Sequence, residues 1–405
     1  MKWFRFILFL LIVCAGFSVL NALQPDRAAY RWERFYQLAP DSLDIVFMGN
    51  SHNFVAFNPQ VIDDILNTNS YVVGIDAENI IATYYELKEV LKSQQPRAVV
   101  LETLALDNKQ QSMVEKGYIY EFLDAGPLTE NKIFLIADLL FQDNLAGLFP
   151  LTRERFDWEQ PYFYFRSLKY LLDEKEQSEP DIMRGVMIIP DIYPTSKYEE
   201  YLSNAIPVSQ EINPANLDYM HRFLSVCNQN KVLPIFVTVP TLELYPRNYK
   251  EYANIIARDY NMEILSFNQQ NFQQLHFYNI THVNSFGSLI VSTEMAAKLS
   301  HALNIPFDRQ KLDYYHSYYF KNFDVSQTDH EAAFTLFPVD RDAPLLYAWR
   351  VVFEEKIIQE RDFQPVNSIS FPISQSGEYE IRVQVWNPDG DFVLKGEFLH
   401  RVEKK

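Results

Sequence analysis

Short apolar runs rich in β-branched residues alternate with segments of helical periodicity along most of this chain. The first run, Leu43–Met48, ends at Gly49, and residues 70–74 and 98–101 repeat its character. Runs of this length that are apolar at nearly every position are typical of strands buried on both faces. Because helical patterns separate them, the order predicts a parallel sheet with helices on both faces.

The alternation stops at about residue 107 and resumes at Asn213-Pro214, where an asparagine followed by proline predicts a helix start. We therefore predict one α/β domain over residues 42–305, with a flavodoxin-like sheet and an insertion at about 107–210. Aromatic residues of the insertion, Trp158 among them, fit either stacking on sugar rings or burial in a core. The sequence leaves both readings open.

The period changes after residue 306. Tyr379, Ile381 and Val383 alternate with polar residues, and turn-forming residues follow at 387–390. This pattern predicts a small antiparallel β-sandwich over residues 306–405. Three roles are open for it: binding carbohydrate, binding a neighbouring protein, or bracing the α/β domain.

The amino terminus has the pattern of a membrane segment. Lys2 and Arg5 precede Phe6–Leu23, which has no charged residue. As a helix of 18 residues it would be about 27 Å long, close to the ~30 Å of a hydrocarbon core. Basic residues before it predict a single-pass anchor at residues 1–23, a stalk at 24–41, and a main body on the extracytoplasmic side of the cell membrane. The alternative is a signal peptide cleaved near residue 22, which would make the protein secreted.

Composition excludes several classes of function. The 53 acidic and 36 basic residues give a net charge of −17, which repels phosphate backbones and argues against a nucleic-acid partner. Two cysteines, Cys14 and Cys227, are too few for a structural zinc site. The eight histidines show no metal-binding spacing, and no nucleotide-binding glycine motif occurs. We expect no metal and no cofactor.

Two segments carry residues suited to acyl transfer. Ser51 follows the first predicted strand, at the carboxyl end where doubly wound sheets bind their ligands. His282 comes after the last predicted strand and before the last helix of the domain, so it is expected on the same rim. A histidine there can act as general base for a serine across the rim. His52 is expected to be a supporting or helix-start residue.

Together these segments resemble the SGNH (GDSL-type) hydrolase superfamily, and more narrowly its membrane-anchored SGNH-like proteins of bacterial surface-polysaccharide clusters. The resemblance covers roughly residues 40–305, apart from most of the insertion. It rests on Gly-x-Ser-His at 49–52, Phe-Asn-Pro at 57–59, the Tyr-Tyr-x-Leu-Lys-Glu helix at 84–89 and His-x-Asn-x-x-Gly at 282–287. It implies that Ser51 is the nucleophile, that His282 is the general base, and that the backbone N–H groups of Ser51 and Gly74 form part of an oxyanion hole.

The chain departs from the family pattern at two points. Asn279 stands where the family has an aspartate, three residues before the histidine. An asparagine can orient the imidazole but cannot neutralise the imidazolium, so a Ser-His dyad or an acid from elsewhere, such as Glu243 or Asp107, is the alternative. The family's Gly-x-Asn-Asp block is missing after the third strand, which leaves Asn79 as the stand-in for the side-chain oxyanion donor.

The resemblance implies a serine esterase or O-acyltransferase that acts on acyl groups of a bacterial surface polysaccharide through an acyl-Ser51 intermediate. Water as acceptor gives hydrolysis, and a sugar hydroxyl gives transfer. Implied partners are an acylated carbohydrate, the membrane, and other polysaccharide-export or acyl-transfer proteins. The rival hypothesis is a degenerate, non-catalytic protein that binds glycan or helps to assemble such a system.

Overall fold

The computed structural model describes residues 29–107, 118–140, 184–193, 213–242 and 249–402. The predicted anchor or signal, the first part of the stalk, and much of the insertion with Trp158 lie outside these ranges. Among the described residues, no helix combines the length and the apolar character needed to cross a bilayer.

Five parallel strands form the central sheet, in the order β2-β1-β3-β4-β5. The strands are β1 (Ile45–Met48), β2 (Ser70–Val72), β3 (Ala98–Glu102), β4 (Leu233–Thr238) and β5 (Ile264–Ser266). This is a doubly wound order, in which β2 lies on one side of β1 and the later strands β3, β4 and β5 follow on the other side. The prediction of a mixed α/β fold around a parallel sheet is confirmed.

Both faces of the sheet are buried along β1, β2 and β3. Along β1, Ile45 and Phe47 belong to one hydrophobic cluster, whereas Val46 and Met48 belong to a second cluster on the opposite face. Successive side chains of a strand point to opposite faces, so a strand covered on both sides has to be apolar throughout. This explains why β1 lacks the polar alternation of a half-exposed strand.

Helices pack on these two faces. Their bounds are α1 (Ala29–Phe35), α2 (Ser51–Ala56), α3 (Pro59–Leu66), α4 (Ile80–Val90), α5 (Leu104–Asp107), α6 (Tyr120–Asp124), α7 (Glu130–Leu140), α8 (Pro214–Gln229), α9 (Tyr249–Tyr260), α10 (Ser285–Leu303) and α11 (Arg309–His316). Asn58 and Asn213 cap α3 and α8, and each helix begins with proline, as the sequence predicts for Asn213-Pro214. Two short 3₁₀ turns, Gln269–Asn271 and Gln274–His276, follow β5.

The carboxyl-terminal region forms two antiparallel sheets, one of order β10-β7-β6 and one of order β12-β11-β8-β9. The strands are β6 (Phe320–Gln327), β7 (Glu331–Pro338), β8 (Leu346–Phe353), β9 (Lys356–Gln364), β10 (Ser368–Pro372), β11 (Gly377–Trp386) and β12 (Val393–Val402). Tyr379, Ile381 and Val383 of β11 are buried, while Arg382 and Gln384 are exposed. The predicted alternation is confirmed there.

One hydrophobic cluster runs without a break from the parallel sheet into the carboxyl-terminal sheets. The Phe286 ring lies against Gly396 of β12, so closely that a Cβ on this glycine would be 2.5 Å from the ring. The backbone N–H of Glu397 in β12 also donates to Pro190 O at 2.8 Å, and the backbone carbonyl of Glu397 accepts from Ile192 N at 2.7 Å. The carboxyl-terminal sheets are thus joined to the start of α10, next to the segment that carries His282.

Candidate active site

Ser51 is placed by the sharp exit from β1. The strand ends at Met48, and Gly49 adopts a φ of +126°, a backbone conformation that favours glycine. Asn50 then caps α2, because its side-chain oxygen accepts from the His52 N–H at 3.0 Å. Ser51 is therefore the first residue of a helix.

His282 is placed by a compact turn between β5 and α10. Phe277 and Val283 form an antiparallel bridge, and Tyr278 N donates to His282 O at 3.0 Å. Asn284 caps α10 and uses its amide group to hold the carbonyls of Leu275, Phe277 and Asp191. Both ends of the turn are fixed, so the imidazole has little freedom to swing away from the rim.

The structure brings the two predicted residues together. Ser51 Oγ lies 2.7 Å from His282 Nε2, although the residues are 231 positions apart. This distance lies within the range for proton transfer between a nucleophile and its general base. His52, buried beneath them, packs its ring edge-on to His282 with the centroids 4.8 Å apart.

Asn279 contacts the other nitrogen of the imidazole. Its Oδ1 lies 3.0 Å from His282 Nδ1 and also accepts from the backbone N–H groups of Thr281, at 2.9 Å, and His282, at 2.8 Å. Backbone N–H groups can only donate, so the atom facing the imidazole is the oxygen of the amide. His282 then carries its proton on Nδ1 and presents a lone pair on Nε2 to Ser51.

Two of the predicted oxyanion donors, Gly74 and Asn79, lie on the loop after β2, which pairs with β1. Gly74 has a φ of +130° and lies so close to the Ser51 turn that a Cβ here would be 1.9 Å from Gly49 O. Asn79 caps α4 by accepting from Ala82 N at 3.2 Å, and its side chain is fully buried. Among the described residues Asn79 Nδ2 has no hydrogen-bond partner, so this donor is available. Its role in an oxyanion hole stays a prediction.

The structure does not describe the side chains of the two alternative acids, Glu243 and Asp107. Glu243 is not among the described residues, and Asp107 ends α5 with a side chain that is not described.

Arg31 of α1 holds the Gly74 loop from below, a contact that the sequence did not reveal. Its Nη1 donates to Gly74 O at 2.7 Å and its Nε donates to Gly185 O at 2.8 Å. The guanidinium lies over the Phe54 ring, 3.9 Å from the centroid, and Phe54 belongs to the same helix as Ser51. This helix, which lies within the predicted stalk, thus touches both the nucleophile helix and the predicted oxyanion loop.

Three buried glutamates surround this arginine. Burial raises the pKa of Glu78 and of Glu121 from the ordinary 4.5 to about 8. Burial, followed by the neighbouring Glu78, raises the pKa of Glu86 well above its ordinary value. Glu121 lies 3.9 Å from Arg31, and Glu78 accepts from Ile75 N at 2.8 Å. One guanidinium cannot balance three carboxylates, so the cluster holds protons near neutral pH.

These raised pKa values make the stability of the fold depend on pH. Because the folded state binds protons that the unfolded state releases above about pH 4.5, the contribution of Glu78 and Glu121 is largest below that pH and is lost as pH rises to about 8. Glu78→Gln keeps an oxygen that accepts from Ile75 N, and the Thr83 hydroxyl, which donates to Glu78, can donate to Asn79 O instead and accept from the new amide. We expect it to reduce the loss of unfolding free energy between pH 5.5 and 8 by roughly 1 kcal/mol per pH unit.

Urea unfolding at both pH values measures the difference. Exposed Glu355→Gln is the matched control and should leave the pH slope at the wild-type value. An unchanged slope in Glu78→Gln would contradict the assignment of a buried, protonated carboxyl at this position.

Comparisons with known proteins do not assign the chain to a family. No family model matches it, and no curated protein matches it. Among solved structures, domains d3-d4 of the rat CD45 extracellular region align at 16% identity with a TM-score of 0.18, over 20% of this chain and 48% of that chain. An engineered protein aligns at 9% identity with a TM-score of 0.17, over 92% and 96% of the two chains. An endo-β-1,4-mannanase from Thermotoga petrophila aligns at 10% identity with a TM-score of 0.16, over 84% of each chain.

The chain spans about half the length of the CD45 fragment that it matches. TM-scores this low do not indicate a shared fold or a shared function.

Proposed function

We propose that this chain is an extracytoplasmic serine esterase or O-acyltransferase of the SGNH (GDSL-type) kind. The observation that carries the proposal is the hydrogen-bonded line from Ser51 Oγ to His282 Nε2, and from His282 Nδ1 to Asn279 Oδ1. A serine nucleophile, a general base and an orienting group in this order define covalent acyl transfer. A sheet of doubly wound order, with the nucleophile directly after β1, supports the superfamily.

In the first half-reaction, Ser51 Oγ attacks the carbonyl carbon of the bound ester while His282 Nε2 accepts the hydroxyl proton. Negative charge moves to the carbonyl oxygen, where the N–H groups of Ser51 and Gly74 and the amide of Asn79 would stabilise it. Collapse of the tetrahedral intermediate breaks the bond to the sugar oxygen. His282 gives its proton to that oxygen. The sugar departs with a free hydroxyl, and the acyl group stays on Ser51.

In the second half-reaction, an oxygen nucleophile gives its proton to His282 and attacks the acyl-Ser51 carbonyl. Water yields a free acid, so the overall reaction is hydrolysis. A hydroxyl of a second sugar yields a new ester, so the overall reaction is transfer. In either case the proton on His282 finally returns to Ser51 Oγ.

The neutral Asn279 lowers the rate that this site can reach. In a serine protease, asparagine in place of the orienting aspartate costs about 10⁴ in rate, partly because the histidine takes the wrong tautomer. Here two backbone N–H groups hold Asn279 Oδ1 toward the imidazole, so the productive tautomer is kept. What is lost is the attraction between a carboxylate and the imidazolium, about 2 kcal/mol at a partly exposed site.

The proposed substrate class is an acylated bacterial surface polysaccharide, and the proposed location is the extracytoplasmic face of the cell membrane. Both follow from the family resemblance and from the uncharged run at residues 6–23. Other polysaccharide-export or acyl-transfer proteins are the proposed partners. A non-catalytic protein for glycan binding or assembly is the second candidate, and the neutral residue at position 279 favours it.

A fluorophosphonate probe separates the two candidates. The folded wild type should be labelled, because His282 activates Ser51 Oγ to attack the phosphorus of the probe and displace fluoride, and Ser51→Ala should not be labelled. Exposed Ser266→Ala is the matched control and should be labelled as strongly as the wild type. A folded wild type that the probe fails to label would favour the non-catalytic candidate.

The substitution Asn279→Asp tests whether the missing negative charge beside His282 limits the rate. Asn279→Asp should raise kcat/KM for p-nitrophenyl acetate by roughly thirtyfold, because a carboxylate stabilises the imidazolium in the transition state. It should also move the acidic limb of the pH profile, where activity rises as His282 loses its proton, to higher pH, since a nearby negative charge raises the pKa of a histidine. Exposed Asn261→Asp serves as the control. Equal rates for Asn279→Asp and the wild type would mean that the site is inactive or uses another acid.

A further inference from the structure

The hydroxyl of Thr281 lies beside the same imidazole nitrogen that Asn279 contacts. Thr281 Oγ1 is 2.8 Å from His282 Nδ1, and Asn279 Oδ1 is 3.0 Å from that nitrogen. Thr281 Oγ1 is also 3.1 Å from Asn279 Oδ1. The three polar atoms form a triangle, so their donor and acceptor roles have to be consistent with one another.

Only one arrangement of protons satisfies this triangle. Asn279 Oδ1 can only accept, so the Thr281 hydroxyl donates its single proton to it. The oxygen of Thr281 then has lone pairs left for His282 Nδ1, which must be the donor. The Nδ1 proton is therefore shared between the oxygens of Thr281 and Asn279.

The second acceptor matters because Asn279 Oδ1 is already heavily used. Two backbone N–H groups, the Thr281 hydroxyl and the imidazole all donate to this one oxygen. A neutral amide oxygen divided among four donors offers only a weak interaction to the imidazole. The Thr281 hydroxyl, polarised by its own bond to Asn279, strengthens the acceptor set, since hydrogen bonds in a chain reinforce one another.

We propose that Thr281 is a positioning residue whose hydroxyl accepts the Nδ1 proton of His282 and holds the imidazole in the tautomer that faces Ser51. This inference rests on the proposed function for its effect on rate. Its effect on the imidazole itself is independent of that function. Thr281 and Asn279 together orient the imidazole of His282 with two neutral oxygens, whereas a single carboxylate does this in a Ser-His-Asp triad.

Thr281→Val and Thr281→Ser test the proposal. Valine has nearly the shape of threonine but no hydroxyl, while serine keeps the hydroxyl and loses the methyl group. The ¹⁵N shifts of the His282 ring, assigned by their loss in His282→Gln, report the tautomer and the pKa. We expect Thr281→Val to increase the fraction of the tautomer protonated at Nε2 and to lower the His282 pKa by about half a unit or more, because one hydrogen bond to the charged form is lost.

The rate should follow the same pattern. Thr281→Val is expected to lower kcat for p-nitrophenyl acetate roughly tenfold with little change in KM, and Thr281→Ser should restore both the rate and the ring shifts. Wild-type ring shifts in a folded Thr281→Val would overturn the proposal. Ring shifts that Thr281→Ser fails to restore would also overturn it, because the methyl group and not the hydroxyl would then be responsible.

The ring measurement needs no turnover, so it separates this inference from the proposed function. Altered shifts in Thr281→Val, together with a wild type that no fluorophosphonate labels, would refute the enzyme and leave the positioning role of Thr281 standing. Normal labelling of the wild type, together with unaltered ring shifts in Thr281→Val, would support the enzyme and refute the positioning role of Thr281.

Discussion

The hydrogen bond between Ser51 and His282 joins two distant segments at one rim of the parallel sheet, and the local structure on both sides serves to keep it. On the serine side, a fully buried β1 and the left-handed turn at Gly49 fix where α2 begins. On the histidine side, the Asn284 cap and the bridge between residues 277 and 283 close the turn. Positioning of this kind would serve the proposed acyl transfer, because a misplacement of about 1 Å between reacting groups can cost about 100-fold in rate.

Charge is arranged around this bond in an unusual way. The side chain at position 279 is neutral, whereas three carboxyl groups are buried under the neighbouring loop beside Arg31. Their burial is tolerated because they hold protons and because Arg31 and Glu78 make hydrogen bonds to the loop at Gly74 and Ile75. In the proposed reaction, a loop fixed in this way would keep its N–H groups oriented toward the developing oxyanion without further rearrangement.

Local patterns in the sequence predict much of this architecture. Apolar runs mark β1 and its neighbours, Asn-Pro pairs mark two helix starts, and the topology of a doubly wound sheet predicts that Ser51 and His282 share a rim. The reach of Arg31 to Gly74 and the contact of Phe286 with Gly396 depend on tertiary packing between residues far apart in sequence, so no local pattern reveals them. Thr281 is adjacent to His282, but whether its hydroxyl meets the ring depends on the turn geometry.

Trapping of the acyl-enzyme tests the central claim most directly. Wild-type protein mixed with p-nitrophenyl acetate and quenched in acid should gain the mass of one acetyl group, on the peptide that contains Ser51. Asn279→Asp should form and lose this adduct faster, whereas His282→Gln should hardly form it. A folded wild type that acquires no acetyl group, or acquires it only on lysines, would contradict the account of Ser51 as a nucleophile activated by His282.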